Sequence, residues 1–163
     1  MENSAIQIIG QYMVASNLCY PAGSTPVAGK LPLWLSQLPL SDGKAITMPD
    51  NALGLFGTTG TLDGRYMRTG YVVEHPGFQI RVRHRDYDAG WDLAHAIFNN
   101  FTQNVKNTAV LFSPASGDYT EYIRAIKATT SVIDLGVGGP GSSVGRVLQQ
   151  FTINFQGTFS DSV

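Results

Sequence analysis

Residues 75–104 change from a period of two to a helical period, and this change is the strongest constraint on the fold. An alternation of apolar and polar residues, typical of a half-buried strand, comes first and is carried by Phe78, Ile80 and Val82. One stripe of an amphipathic helix follows and is formed by Ala94, Ile97, Phe98, Phe101 and Val105. Between them, Asp86 is a predicted helix cap, and Asp88 suits the positive end of the helix dipole. The sequence therefore predicts a strand, a tight capped turn and a helix that folds back onto the sheet.

The N-terminal part begins with a second amphipathic pattern. Ser4 is a predicted cap, and the pattern indicates a helix over about residues 5–18. The segment 21–40 carries four prolines, which exclude a regular helix or central strand, but it is rich in leucine. Two interpretations stay open for this arm: an extended connection held against its own core, or an arm on a neighbouring subunit.

The middle of the chain is rich in glycine and threonine. Residues 44–48 are a short strand candidate, and residues 53–70 are expected to form a long loop or flexible hairpin, because glycine costs entropy inside regular elements. Residues 71–74 are expected to form a strand joined to the central strand through a turn at His75-Pro76-Gly77.

The C-terminal part reads as strands. Weak strand signals at 107–111 are followed by stronger ones at 119–130 and 132–135 and by a long final strand over 147–159 with a glycine bulge. The predicted order is a helix, three strands, a helix and three further strands. This order predicts an α+β fold: a mixed or antiparallel sheet flanked by two helices within one domain, residues 1–163.

Composition limits the function classes. The chain has 163 residues, enough for one domain with its own core, and only 14% charged residues against a typical share of about 25%. Its net charge is −1, so no global basic field attracts nucleic acid. Cys19 is the single cysteine, which excludes an intrachain disulfide. Without a signal-peptide pattern or a run of roughly 18 to 20 apolar residues, we expect a soluble protein made in the cytoplasm, not bound to a membrane.

Motifs for catalysis or for metal binding do not stand out. His75, His84 and His95 lack the spacing to Asp or Glu that metal sites use. The glycine-rich run LGVGGPGSSVGR has no GK[ST] ending and is interpreted as a hairpin loop. We therefore predict no catalytic residue, no cofactor and no metal, and no enzymatic activity.

Arg81, Arg83 and Arg85 lie at intervals of about 6.6 Å along one strand face. Two interpretations stay open for this row. It is either a solvated face paired with Glu74, Asp86 or Asp88, worth about 0 to 1 kcal/mol, or a surface for an acidic partner or DNA. In the second case the predicted partner-binding residues are Arg81, Arg83, Arg85, Arg146 and Trp34.

A strand ending in RVRHRDY, followed directly by a helix of the form DxAxxLAxxI, resembles the tail-terminator and minor capsid proteins of long-tailed bacteriophages. The later segments ATTSVIDLG and FTINFQ, with a glycine-bearing loop between them that contains Arg146, occur in the matching order. The resemblance covers about residues 70–157.

This resemblance implies an α+β virion protein without catalytic activity. Such proteins form a ring, expected to be a hexamer, that caps the head-proximal end of the tail tube and ends its polymerisation. The implied partners are other copies of the chain, the tail tube protein and a head-completion or neck protein, and DNA would pass through the ring without specific binding. The implied location is the head–tail junction of the virion, after assembly in the host cytoplasm. The alternatives are another head-closure or neck component, a small nucleic-acid-binding module and, last, a hydrolase that uses His84 and Asp86.

Overall fold

The computed structural model describes residues 4–36, 50–62, 74–113, 117–137 and 148–160. Within them lie two helices, α1 (Ala5–Ala15) and α2 (Tyr87–Asn104). The strands are β1 (Cys19–Pro21), β2 (Leu31–Leu35), β3 (Ala52–Leu62), β4 (Glu74–His84), β5 (Lys106–Phe112), β6 (Tyr119–Ala128), β7 (Ile133–Val137) and β8 (Gln149–Ser160). They form one mixed sheet in the order β1-β2-β3-β4-β8-β6-β5, with β7 also paired to β8. The predicted α+β class is confirmed.

Both helices pack against the same face of this sheet, which we call the inner face. α2 contacts β4, β6 and β8, while α1 contacts β1 and β2 near one end of the sheet and β5 at the other end. The sheet therefore curls around α1. The helices also contact each other, because the Tyr12 hydroxyl donates to Asn100 Oδ1 at 2.7 Å and the Tyr12 ring packs edge-on against Phe101.

The predicted strand–turn–helix unit is confirmed. The side chains of Phe78, Ile80 and Val82 are fully buried on the inner face, and so are Ala94, Ile97 and Phe101 on the predicted helix stripe. Asp86 Oδ1 accepts a hydrogen bond of 2.8 Å from the Ala89 amide and so caps α2 as predicted. Six apolar side chains thus join the central strand to its helix across one dry layer.

Of the two forms predicted for residues 53–70, a long loop or a flexible hairpin, the loop is wrong for residues 53–62, which belong to β3 between β2 and β4 and pair antiparallel with β4. The glycines that suggested a loop are needed for close backbone approach. A Cβ at Gly60 would lie 2.2 Å from the His75 carbonyl oxygen, and one at Gly77 would lie 2.5 Å from Thr58 Oγ1. The ladder between β3 and β4 shifts register between Thr58 and Thr61, so these glycines mark a β-bulge and not the end of the strand.

The turn predicted at His75-Pro76-Gly77 is also wrong, because all three residues lie within β4. Pro76 is tolerated there since it faces the register shift in β3, and pairing with β8 begins only at Gly77. A proline without an amide therefore breaks no ladder hydrogen bond.

Two parts of the proline-rich arm belong to the chain's own sheet, Pro21 at the end of β1 and residues 31–35, which form β2. β2 pairs in parallel with both β1 and β3, and Leu33 is buried in the core. The exclusion of a central strand here is wrong, because β2 has a neighbour on both sides: Pro32 pairs with Tyr20 of β1 and precedes the ladder to β3, which starts at Leu33. The predictions for residues 37–49, 63–73 and 138–147, which include the strand at 44–48 and Arg146, lie outside the described residues.

The segments with strand signals after α2 form four strands, β5, β6, β7 and β8, which is one more than the three of the predicted order. The irregularity expected at Gly157 instead lies on β6, where the register shifts between Ile123 and Ala125. Gly157 continues the inner-face alternation, and a Cβ there would lie 2.5 Å from the ring of Phe159. Helix α1 ends at Ala15, earlier than the predicted residue 18, because Asn17 adopts a left-handed conformation with φ of 55°.

Candidate partner-binding surface

The sheet surface opposite the helices, here called the outer face, carries the polar half of each central strand. Register places Trp34, Gly54, Arg81 and Thr152 side by side across β2, β3, β4 and β8. The sequence predicted Trp34 and Arg81 as partner-binding residues, and the fold brings them onto one row about two strand spacings, or ~10 Å, apart. Gly54 between them contributes no side chain.

Two contacts fix the side chain of Arg81 on the outer face. Its Nε donates a 2.6 Å hydrogen bond to Gln79 Oε1, and its guanidinium lies 4.9 Å from the centroid of the Phe56 ring. Apart from the strand ladders, Arg81 forms no further hydrogen bond or ion pair with any residue that the structure describes. The terminal nitrogens therefore remain available while the rest of the side chain is fixed.

Gln79 is itself held in place by a chain of hydrogen bonds. Its Nε2 donates to Asn154 Oδ1 at 2.7 Å. The amide nitrogens of Asn154, backbone and side chain, both donate to Thr130 Oγ1 at 3.3 Å. Sequence analysis missed these supports, although the outward position of Gln79 next to Arg81 was a usable signal. They connect the position of Arg81 to two neighbouring parts of the fold.

Arg83 and Arg85 differ from Arg81 because Asp50 holds both of them. Arg83 is only 5% exposed and its Nε donates to the backbone carbonyl of Asp50 at 3.2 Å. Burial lowers the pKa of the Arg83 guanidinium, and the nearby charge of Asp50 partly opposes this shift. Arg85 is 59% exposed and pairs with Asp50 Oδ2 at 3.2 Å.

The prediction that the three arginines form one outward, solvated row is therefore wrong for Arg83. Arg83 lies inside the fold, and Arg85 pairs with Asp50 rather than with the acids closest in sequence. Asp50 is 33 residues away from Arg83 along the chain, so the sequence alone does not reveal the contact. Of the predicted cations, Arg81 is the one whose geometry suits a partner, while Arg146 lies outside the described residues.

Thr152 lies directly beside Arg81 on the outer face and is 4% exposed. Among the described residues its hydroxyl oxygen has no hydrogen-bond partner, and neither has Trp34 Nε1 on the other side of the row. Buried polar atoms are normally paired, and an unpaired one costs about 1 to 3 kcal/mol. Two such atoms flank Arg81 on the row of four residues.

A second polar surface lies on α2, on the opposite side of the domain from the outer face. Asp88 and Asp92 are exposed one helical turn apart, and neither forms an ion pair with any described residue. Tyr87, which is 43% exposed, stacks on Trp91 with centroids 6.2 Å apart. Partial burial and a hydrogen bond with Asp134 raise the pKa of the Tyr87 hydroxyl. The helix contains no Lys or Arg, so this surface is acidic and aromatic.

The side chains that suggested chemistry are not assembled into a reactive centre. The Nδ1 atom of His84 contacts the backbone of Asp86, whose carboxylate is used to cap α2. Burial raises the pKa of the Cys19 thiol to about 12, which keeps it protonated near neutral pH. Among the described residues no group of three His, Cys, Asp or Glu side chains is placed to hold a metal ion.

A cleft of about 560 Å³ lies between α1 and the two ends of the curled sheet. It is lined by uncharged residues of α1, by Leu33 and Leu35 of β2, and by Phe112 and Tyr119 on the other side. Among the described residues, its lining contains no carboxylate, histidine or cation, and it combines apolar side chains with the polar side chains of Gln7, Gln11, Ser113 and Tyr119.

Comparison with known proteins agrees with a structural role. No curated protein sequence is significantly similar to the chain. In the part of the chain that the structure describes, no helix is both long and apolar enough to cross a membrane. The family model for the bacteriophage tail terminator protein matches residues 37–121, about half of the chain. This match includes β3, β4, α2, β5 and the start of β6, and therefore Arg81 with its neighbours Phe56 and Gln79 and the acidic surface of α2. The chain belongs to the bacteriophage tail terminator family, a family of structural phage tail proteins.

Proposed function

We propose that the protein caps the head-proximal end of the phage tail tube, stops tube polymerisation there and forms the joint to the head. The observation that carries this proposal is the family match, which spans the central strand, its helix and the neighbouring strands. The fold is compatible with a purely structural role, because its polar side chains are organised for contacts rather than into a reactive centre.

The working form in this proposal is a closed ring, with a hexamer as the expected copy number. A tube built of sixfold discs presents equivalent sites at its end, and a cap that uses all of them needs head-to-tail contacts that close. The chain supplies uncharged contact material, since α1 contains no charged residue and Leu35 and Leu111 are exposed. Low charge content fits a surface that neighbouring subunits cover.

The partners in this proposal are other copies of the chain, the tail tube protein on one side and a head-completion or neck protein on the other. DNA passes through the ring and is not bound specifically, which fits the net charge of −1. The protein assembles in the host cytoplasm and resides at the head–tail junction of the virion.

Tail length in phage that lack a functional copy of the protein tests the capping function. We expect over-long tails without heads, because nothing stops tube growth, and tails of normal length when the wild-type protein is supplied in trans. The matched control is Thr102→Ala, a change at an exposed residue of α2 that should complement fully. Tails of normal length that fail to join heads would instead indicate a head-closure or neck component.

The ring is tested separately by counting copies at tail ends. Cryo-microscopy of isolated tails, reconstructed without imposed symmetry, should show a closed ring at the head-proximal end. A single copy or an open helical arrangement would contradict it, whatever the state of the free protein.

A further inference from the structure

Two oppositely charged surfaces lie on opposite sides of the domain. The outer face of the sheet presents Arg81, Arg124 and Lys127. Among the described residues, the carboxylate at the rim of this face is Asp50, which lies beside the buried Arg83 and pairs with Arg85. The exposed surface of α2 carries Asp88 and Asp92 and no Lys or Arg. Opposite charges on opposite sides favour a repeated head-to-tail contact, in which one surface of each copy meets the other surface of the next.

Arg81 is arranged to receive a carboxylate. Its Nε is occupied by Gln79 Oε1, and its guanidinium is held over Phe56, so the side chain loses little freedom when the terminal nitrogens bind. A guanidinium donates two parallel hydrogen bonds to a carboxylate, which is the geometry that distinguishes Arg from Lys. Thr152 and Trp34, on the same row, provide a hydroxyl and an indole N–H that have no hydrogen-bond partner in the part of the chain that the structure describes.

The acidic surface has matching features. Asp88 and Asp92 are one turn apart and form no ion pair with a described residue, and Tyr87 and Trp91 form a stacked aromatic pair beside them. Tyrosine and tryptophan are enriched at the energetically important centre of protein interfaces. Each side therefore presents a charge together with aromatic side chains, Trp34 and Phe56 on one side and Tyr87 and Trp91 on the other.

We infer that Arg81 of one copy binds the carboxylates of Asp88 and Asp92 on helix α2 of the next copy, and that this contact connects neighbouring subunits. The inference rests on the proposed ring and assigns residues to its subunit interface. The occupant of the Arg81 site is a second copy because the complementary surface is present on this same chain.

DNA fits the Arg81 site less well than a carboxylate does. Asp50 holds Arg83 and Arg85, so the row does not offer a series of cations to successive phosphates. The whole chain carries a net charge of −1, and a backbone-binding protein uses several phosphate contacts at once.

Two charge-reversed variants test the contact in phage that lack the gene. The first variant is Arg81→Glu, and the second is the double variant Asp88→Arg/Asp92→Arg. Each variant alone places like charges at every subunit contact and should lower the phage titre at least about 100-fold. Co-expressed, the two variants can alternate around a ring with an even number of subunits. Every contact is then again between opposite charges, and the titre should return to within about tenfold of wild type. Arg85→Glu is the matched control, because Arg85 is exposed on the same segment, and it should keep wild-type titre.

Restoration by the mixture but by neither variant alone is the expected result. Folded variants, checked by thermal melts, whose mixture is as inactive as either alone would overturn the inference. A wild-type titre for Arg81→Glu would also overturn it. The same holds if the wild-type protein binds duplex DNA in a salt-sensitive way and Arg81→Glu loses that binding. If over-long tails appear without the protein but the mixture does not rescue, only the Arg81 contact is wrong; normal tails without the protein contradict the proposed function itself.

Chemical cross-linking decides the case in which a charge-reversed variant does not fold. Arg81→Cys/Asp92→Cys protein, treated with a short bismaleimide on isolated tails, should give a ladder of covalent multimers, and either single cysteine variant should not. Cys19 does not compete, because it is buried and its raised pKa keeps it protonated. Monomers alone from the double variant would overturn the contact.

Discussion

The inner and outer faces of the sheet are made by alternate residues of the same strands, yet they differ in kind. Six inner-face side chains of β4 and β8 are at most 1% exposed: Phe78, Ile80, Val82, Phe151, Ile153 and Phe155. On the outer face, Gln79, Arg81 and Asn154 are half-buried and joined by hydrogen bonds. The inner face stabilises the fold by excluding water, whereas on the outer face hydrogen bonds hold these polar side chains in place while part of each stays accessible to solvent. A mutation should therefore affect stability on one face and binding on the other.

Phe101→Ala should have the largest effect on stability. Phe101 is fully buried and contacts the rings of Tyr12, Phe78 and Phe155, so its removal leaves a cavity between both helices and the sheet. The expected loss in the free energy of unfolding is about 3 to 5 kcal/mol. Chemical denaturation with circular dichroism measures it, and Thr102→Ala, at the next and exposed position, is the control. An unchanged midpoint would contradict the inner-face packing.

Arg83→Gln should show that the outer face is not uniformly a surface. Arg83 is 5% exposed and bound to the Asp50 carbonyl, so we expect a loss of about 1.5 to 3 kcal/mol, typical of a hydrogen bond to a charged group. The same denaturation measurement applies, with Arg81→Gln as the comparison, since Arg81 is less buried. Equal, small losses for the two variants would mean that the arginines are equivalent after all.

This contrast also shows what sequence patterns predict well and what they do not. The strand–helix unit was predictable because its periods of two and of 3.6 are both clear over residues 78–105 and Asp86 supplies the cap. The alternation of residues along β4 predicted that the arginines lie on the outer face. It could not reveal that Asp50, which is distant in sequence, binds Arg83 through its backbone carbonyl and pairs with Arg85 through its carboxylate. The local sequence pattern predicts toward which face of the sheet a side chain points, whereas contacts with residues distant in sequence determine whether that side chain is buried.

β3 was missed for a related reason. Its glycines lower strand propensity, and their value appears only when β4 lies against them, where a Cβ at Gly60 would overlap the His75 backbone. The common row of Trp34 and Arg81 likewise depends on β2 joining the sheet in parallel, which the prolines argued against. Of the candidate site, the sequence predicted the cations, but not the support by Phe56, Gln79 and Asn154 or the acidic counterpart on α2.

Asp86→Ala tests the link between the two faces, because this residue caps the helix that follows the outer-face arginines. Removing the 2.8 Å bond to the Ala89 amide should cost about 1 kcal/mol, within the usual range of about 0.5 to 2 for a lost cap. Asp86→Asn is the control, since its side-chain oxygen can still accept that hydrogen bond. An equal loss for Asn and Ala would show that charge near the helix dipole matters more than the cap.

Arg85→Ala should have the smallest effect, although Arg85 binds the same aspartate as Arg83. Its side chain is 59% exposed, and water and salt screen its ion pair with Asp50. We expect a loss between about 0 and 1 kcal/mol in low salt, and less in 1 M salt, where the screening length is about 3 Å. Denaturation of Arg85→Ala and Arg83→Gln at both salt concentrations separates the two cases: the Arg85 effect should shrink with salt, whereas the Arg83 effect should persist, because its bond to a backbone carbonyl is buried. A salt-independent loss at Arg85 as large as that at Arg83 would show that both arginines belong to the folded core, and the boundary between core and binding surface would then lie beyond Arg85 rather than between these two residues.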